Sequence, residues 1–482
     1  MSNTSVSRRQ FIKASAVTAG AFFIVPSHVV SGLGYMAPSD KLNIAGIGIG
    51  SKGSVNLKNM ESENIVALCD IDWQYAKHCF DAFPGARRYK DFRKMLDEMG
   101  RSIDAVVIAT PDHTHAVCAL AAMQLNRHVY VQKPLTHSVY ESRVLLEASR
   151  KYKVVTQMGN EGHSADSVSE VCELIWSGAI GEVTHVDAWT DRPIWPQGLT
   201  RPEQGMWLPE HIDWDLFIGP AAMRPYHRAY HPWDWRGWWD FGTGALGDMA
   251  CHVLDVVFSA MKLGHPSAVE ASSSALNSES APVASTIRYE FPERPKEGKL
   301  NMPAVSVTWY DGGLLPPRPD SLPDGVELGE GQNGVLFHGS KGLLLCGSYG
   351  SKWRLLPDDK FANLPKPAAR LRRVGMSHEM DFVRACKESP ESRVLPLSNF
   401  EYAGPLNEMV VMGNLAVRLK SLNRKLQWDG VNMRITNLAA SDEIKLSNGI
   451  PKQQPRTLSL NAIQAAGEYI RHTYREGWSL NV

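Results

Sequence analysis

Several features are missing from this sequence, and each absence removes a class of protein. There is no excess of charge of either sign: Lys+Arg and Asp+Glu both number 51. No net field therefore draws the chain to nucleic acid or to anionic lipid, and no nucleic-acid partner is expected. There is no CxxC pair and no zinc-like spacing among the seven cysteines, Cys69, Cys79, Cys118, Cys172, Cys251, Cys346 and Cys386. An odd, scattered set with apolar neighbours implies buried thiols rather than a disulfide framework. Beyond the N-terminus there is no apolar run long enough to span a bilayer. What is present is 482 residues, 43% hydrophobic and 21% charged. That is the balance of a globular protein with room for two domains and excursions.

The first forty residues have the character of an address. Ser7-Arg8-Arg9-Gln10-Phe11-Ile12-Lys13 precedes a small-residue, apolar run over 14–25. A polar flank, twin arginines and a short apolar core form an export signal of the twin-arginine kind. The expected partner is the twin-arginine export machinery, and the expected location is the periplasm. No cysteine in the stretch offers a lipid anchor. Because this route carries folded proteins, a cofactor loaded before export is expected to travel tightly bound.

After Asp40 short apolar runs alternate with helical stretches. Strands are expected at 42–47, 65–69, 105–109, 128–131 and 154–158, and helices at 55–60, 73–82, 115–125 and 140–151. Such alternation implies a parallel sheet covered on both faces. Gly48-Ile49-Gly50-Ser51-Lys52-Gly53 matches GxGxxG between the first strand and the first helix. Glycines there allow a tight turn and bring backbone N–H groups close to a pyrophosphate at a helix N-terminus. Asp70 ends the second strand about twenty residues on, where a carboxylate binds ribose hydroxyls and disfavours a 2′-phosphate. NAD is therefore expected, with NADP left open by Lys52.

Two more segments fall at the carboxyl edge of this sheet, where ligands bind. Ala109-Thr110-Pro111-Asp112-His113-Thr114-His115 closes one strand, which makes Thr110, Pro111 and His115 candidate cofactor contacts. Val131-Gln132-Lys133-Pro134 follows the next and places Gln132 and Lys133 at the crevice. Asn160 and His163, after the last strand, are candidates to reach nicotinamide or substrate. His113, His115, His163 and His252 follow no ligand spacing, and no metal is expected.

Together these segments resemble the Gfo/Idh/MocA family of sugar oxidoreductases, from about Lys41 through the helix after Gly244. The family's Glu-Lys-Pro stands here as Gln132-Lys133-Pro134, so the lysine is kept and the glutamate lost. A second stretch, Gly244-Ala245-Leu246-Gly247-Asp248-Met249-Ala250-Cys251-His252, resembles the family's glycine-rich signature ending in Asp-x-x-x-His. The resemblance implies an N-terminal Rossmann dinucleotide-binding domain and a C-terminal α+β domain with an open, mainly antiparallel sheet. It also implies a homo-oligomer, and places Lys133 at the reacting hydroxyl. Asp248 and His252, four apart, share one helix face. Moving a hydride from a carbinol carbon requires loss of the hydroxyl proton. Lys133 and His252 are the expected acid/base groups, with His252 the acceptor and Lys133 the hydroxyl's hydrogen-bond partner, or the reverse. Asp248 orients and tunes them, and Asp255 is a candidate support for His252.

Eight of fourteen tryptophans fall between Trp189 and Trp239. Aromatic faces beside polar edges suit sugars, so Arg192, Trp195, Arg236 and Trp238, with His163, are candidate substrate contacts. Alternation over 266–310 suits an antiparallel sheet, 314–332 reads as a surface loop, and 376–385 and 401–419 as helices that return to the first domain. The expected organisation is signal and linker 1–40, dinucleotide domain 41–162, substrate and oligomerisation domain 163–420 and extension 421–482. The expected activity is hydride transfer between a sugar or polyol hydroxyl and bound nicotinamide. The alternative is a redox-assisted, NAD-dependent glycoside hydrolase or lyase.

Overall fold

The computed structural model describes residues 40–447 and 457–481, so the expected export signal within 1–40 lies outside the described residues. From Asn43 the chain alternates β1 (Asn43–Ile47), α1 (Lys52–Asn59), β2 (Asn64–Cys69), α2 (Lys77–Ala82), β3 (Arg87–Tyr89) and α3 (Phe92–Met99). It continues with β4 (Ala105–Ile108), α4 (His115–Gln124), β5 (His128–Val131), α5 (Val139–Tyr152) and β6 (Thr156–Met158). The strands pair in parallel in the order β3-β2-β1-β4-β5-β6. The order reverses between β1 and β4, which opens a crevice beyond their carboxyl ends. All four residues of β4 are buried, as expected for a strand covered on both faces.

Two local differences from the sequence reading have clear causes. The second helix starts at Lys77 rather than 73, because Asp72 Oδ1 accepts from the N–H groups of Gln74 and Tyr75 and holds them in a turn. The β3–α3 pair was not expected from the sequence. Three residues are too few to show a strand period, although Asp91 caps α3 and Phe92, Met95 and Leu96 bury one face.

The second domain runs through α6 (Asp166–Trp176), β7 (Val183–Trp189), α7 (Trp214–Ile218), α8 (Gly244–Ala260), β8 (Ala268–Ser273) and β9 (Ser285–Phe291). A small hairpin, β10 (Arg294–Glu297) and β11 (Leu300–Met302), precedes β12 (Val305–Tyr310), β13 (Gly334–Gly339), β14 (Gly342–Cys346) and β15 (Arg354–Leu356). Then come α9 (Asp358–Phe361), α10 (His378–Lys387), α11 (Phe400–Arg418), β16 (Leu426–Asp429) and β17 (Arg434–Ile435). A second hairpin, β18 (Glu443–Ser447) with β19 (Thr457–Asn461), leads into α12 (Ala462–Ile470). Nine strands form one sheet, β15-β14-β13-β7-β12-β9-β8-β16-β17. Only β7 and β12 pair in parallel.

One face of this sheet packs Val186, Ala188, Val307 and Ile287 against α8 and α11. On the other face the segment read as a surface loop is anchored: Leu322 and Leu328 pack on Trp189, Leu336 and Leu345. The two domains are locked by α10 and α11. Phe382 of α10 packs edge-on against Tyr130 of β5, with centroids 5.8 Å apart. The buried Asn407 of α11 accepts from Leu135 N–H at 2.9 Å and donates to Thr136 Oγ1 at 2.9 Å, which fixes the loop behind Lys133. All seven cysteines are buried and unpaired. Among the described residues no helix is long and apolar enough to cross a membrane.

Candidate active site

A cleft of about 670 Å³ opens at the β1/β4 crevice and runs toward α8. At its start Gly48 takes φ +76°, which an L side chain adopts only with strain, and a Cβ on Gly53 would lie 2.1 Å from the carbonyl oxygen of Gly48. The turn therefore needs glycine at both points. Ser51 precedes α1 without capping it through its side chain, so the first N–H groups of α1 have no side-chain partner there. Such a helix start is suited to an anionic pyrophosphate. Asp70 lines the same cleft; its Oδ2 accepts from Ile49 N–H at 2.8 Å and Gly50 N–H at 3.1 Å. Burial pushes its carboxyl up to about 6, against the pull of the Asp72 and Ile49 N–H donors. These groups fit a dinucleotide.

Gly48, Gly50, Ser51, Lys52, Asp70, Thr110, Pro111, Gln132 and Lys133 all border the cleft. Lys52 is paired with Glu161 at 2.5 Å. Gln132 is buried, donates to Asn56 Oδ1 at 2.8 Å, and lies where a Cβ on Gly159 would come within 2.7 Å. Three candidate cofactor contacts do not border it: Gly53, packed under the Gly48 carbonyl, His115 and Asn160. His115 is buried with its ring nitrogens 2.8 Å from the carbonyl oxygens of Pro134 and Thr110, so it ties two loops together behind the cleft. Asn160 is fully buried outside the cleft lining; it donates to Asp255 Oδ1 at 3.2 Å and accepts from Ser398 Oγ.

At the far end of the cleft four charged or titratable groups meet. Lys133 Nζ donates to Asp248 Oδ1 at 2.7 Å and to the Asp248 carbonyl at 3.0 Å. Arg236 Nε lies 3.1 Å from the same Asp248 Oδ1, and its guanidinium stacks 4.3 Å from the Trp235 ring. The two cations hold the Asp248 carboxyl well below the usual range, overcoming the burial that would raise it. His252 stands one helical turn beyond Asp248. Burial first, and the Lys133 charge second, push its imidazole down to about 3, and its Nδ1 is buried without a hydrogen-bond partner. Asp112 joins this assembly to its helix: its Oδ1 lies 3.3 Å from Arg236, while its Oδ2 accepts from Thr243 N–H at 3.0 Å just before α8.

The remaining candidates divide. Arg192 and Trp195 line the cleft, with Trp195 donating to Gln197 Oε1 at 3.0 Å. Trp238 does not line it: 1% exposed, it packs with Trp214, Phe217, Tyr230 and Phe241 and donates to Ala229 O. His163 is buried away from the cleft, 2.9 Å from Asp255 and stacked on Tyr402. Asp255 accordingly serves Asn160, His163 and Tyr402, not His252. The tryptophan cluster is thus mostly packing; Trp195, Trp233 and Trp235 face the cleft, whereas Trp207 is 86% exposed.

Several cleft residues went unnoticed in the sequence. Tyr349 meets His252 edge-on, with centroids 5.3 Å apart, from a β14–β15 turn that carries no motif. Leu216, Phe217 and Trp478 also line the cleft. Only the density of aromatic residues hinted at these. His231, by contrast, is one of the polar side chains the tryptophan-rich stretch offers in the sequence; it binds Asp72 Oδ2 at 2.9 Å and lines the cleft.

Glycine turn, carboxylate and cation cluster on a doubly wound sheet with a second sheet domain define a dinucleotide-dependent oxidoreductase architecture. Two family models match the chain: "Oxidoreductase family, NAD-binding Rossmann fold" over residues 42–160 and "Oxidoreductase family, C-terminal alpha/beta domain" over 172–293, together half its length. The chain belongs to this family, Gfo/Idh/MocA. A glycosyl hydrolase family 109 protein of Shewanella pealeana is 26% identical over 213 residues, 38% of this chain and 45% of the relative. The levoglucosan dehydrogenase of Pseudarthrobacter phenanthrenivorans is 27% identical over 186 residues, 36% of this chain and 38% of the relative. The chain thus matches under half the length of these curated relatives. The WlbA dehydrogenase of Bordetella pertussis, solved with NADH and UDP-GlcNAcA, has the same fold, with TM-score 0.54 over 81% of this chain and 99% of that one at 16% identity. The first domain is therefore an NAD-binding Rossmann fold.

Proposed function

We propose that the chain is an exported oxidoreductase that exchanges a hydride between a secondary hydroxyl of a sugar or polyol and an NAD it keeps bound. The observation that carries this reading is the Lys133–Asp248–Arg236–His252 cluster, set at the end of a cleft that begins on the glycine turn. Bound NAD supplies the two-electron acceptor at the carbinol carbon. Lys133 has three N–H donors and uses two on Asp248. The third is left to hold a substrate hydroxyl. Lys133 and Arg236 are balanced by Asp248 and Asp112, and it is the Lys133 ammonium, placed at the hydroxyl, that favours an alkoxide as the O–H proton departs. Burial, with the Lys133 charge second, keeps His252 neutral beforehand, the state a proton acceptor requires. Trp195, Trp235 and Arg192 offer ring faces and a polar edge to a sugar.

Retention of the cofactor is supported at the other end. Leu216, Phe217 and Trp478 add apolar lining to the cleft, and Arg475 ties that tail back to the excursion through Asp215 at 2.5 Å. Export is supported by the twin arginines and apolar run within 1–25. The glycosidase relative favours a second reading, in which the cofactor oxidises a ring hydroxyl transiently so that a glycosidic bond can be eliminated. Native mass spectrometry for bound NAD, followed by a sugar panel read at the nicotinamide absorbance, tests the first reading. Release of p-nitrophenol from aryl glycosides without net cofactor reduction marks the second. Purified protein without NAD overturns the retained cofactor.

A further inference from the structure

The nine-stranded sheet carries a polar cluster that the cleft does not use. His185 and Asp187 lie two apart on β7 and so stand on the same face of the sheet. His338 of β13 pairs in register with His185 and adds a third side chain to that face. His185 Nε2 is 3.0 Å from Asp187 Oδ1, and His338 Nε2 is 2.8 Å from Asp187 Oδ2. One ligand atom from each residue lies within 4.8 Å of the others. On the same face Leu322 and Leu328 pack on Trp189 and Leu336. The His185 and His338 side chains remain 30% and 35% exposed, over an Asp187 that is 5% exposed.

We propose that His185, Asp187 and His338 form a binding site for a divalent transition-metal ion of the zinc class, separate from the NAD cleft. Two imidazoles and a carboxylate are the donor types such ions take from proteins. Around a tetrahedral zinc with bonds of about 2.0–2.1 Å, neighbouring ligand atoms lie about 3.3 Å apart. The two imidazole–carboxylate spacings, 3.0 and 2.8 Å, lie just below that figure, and the ligand atoms as a set lie within 4.8 Å of one another, so side-chain rotation that opens the short contacts and draws the two imidazoles together admits the ion. The cluster is also supported from behind, as metal ligands usually are. His185 Nδ1 is 2.7 Å from Ser306 Oγ of β12, and Tyr310 donates to Asp187 Oδ1 at 3.2 Å. In the metal-bound state the Nδ1 proton of His185 is directed at Ser306 Oγ, which leaves its Nε2 lone pair for the ion. The ion takes the place of the ring protons that now bridge to Asp187, those protons pass to the outer nitrogens or to solvent, and the open side takes water. No residue of the cluster lines the cleft, so the ion stitches β7 to β13 and takes no part in hydride transfer.

The test uses the full chain, stripped with a chelator and titrated with ZnCl2 by calorimetry, and with CoCl2 followed by visible absorbance. One zinc per chain and a Co²⁺ spectrum of low coordination number are expected. Ser306→Ala should weaken zinc binding roughly 10–100-fold. His338→Ala and Asp187→Asn should abolish the uptake while bound NAD stays at its parent level. His338 is partly exposed, so His338→Ala decides the matter if Asp187→Asn does not fold. No stoichiometric uptake by the stripped parent, or parent-like uptake by His338→Ala, overturns the proposal and leaves a hydrogen-bonded His–Asp–His cluster only.

Discussion

Replacing Lys133 by methionine keeps the length of the side chain and removes the one ammonium that touches Asp248. The fold should survive the change. Asp248 loses a partner at 2.7 Å but keeps Arg236 at 3.1 Å, so the carboxylate is not left alone. A buried pair broken without compensation costs about 3–5 kcal/mol; here the cost should fall below that range. The chemistry has no such reserve. Loss of the group that polarises the hydroxyl should slow the hydride step by about 10²–10⁴, equivalent to about 2.7–5.4 kcal/mol in the barrier. The assay is single-turnover reduction of bound NAD by stopped flow, using the sugar that gives the largest signal with the parent protein. NAD content should not change, because the glycine turn and Asp70 are untouched. A rate within about threefold of the parent, with NAD and fold intact, would refute the role given to Lys133.

Four other outcomes follow from the same geometry. Asp70 titrates near 6 in the free protein, and ribose hydroxyls donate to its ionised form; affinity for NAD should hold above that pH and weaken as pH falls through it, by up to about tenfold per unit. Isothermal titration between about pH 5 and about pH 8 checks this, and a flat Kd contradicts it. His252, pushed down to about 3, should give no acid limb near the usual histidine value of about 6.5 in kcat/KM, whereas an imidazole that charged early would show one. Trp235→Ala, which removes a ring stacked 4.3 Å from Arg236 at the cleft, should raise KM roughly tenfold with little loss of stability; Trp238→Ala should instead destabilise the fold by about 3–5 kcal/mol in a urea melt, since that ring is core.

The sequence alone determined what local rules govern. Glycine spacing, an acid about twenty residues on, and alternation of short apolar runs with helical stretches specified the parallel sheet and the cofactor end of the cleft. Lys133, Asp248 and His252 were legible for the same reason, since each lies within a few residues of an element end or on one helix face. Tertiary structure alone decided whatever depends on chains returning from a distance. His115 and Asn160 sit beside motif residues yet point into buried hydrogen bonds, because Pro134, Asp255 and Ser398 arrive to claim them. Trp238 and Trp235 are three residues apart on one short turn, but only one faces the cleft, and no periodicity in so irregular a segment tells which. Tyr349 and Arg236 reach the reacting end from opposite parts of the second domain. His185, Asp187 and His338 become neighbours only when β13 pairs with β7, across some 150 residues of intervening chain. Strand register is a property of the folded sheet, and it brings together groups whose sequence spacing carries no signal.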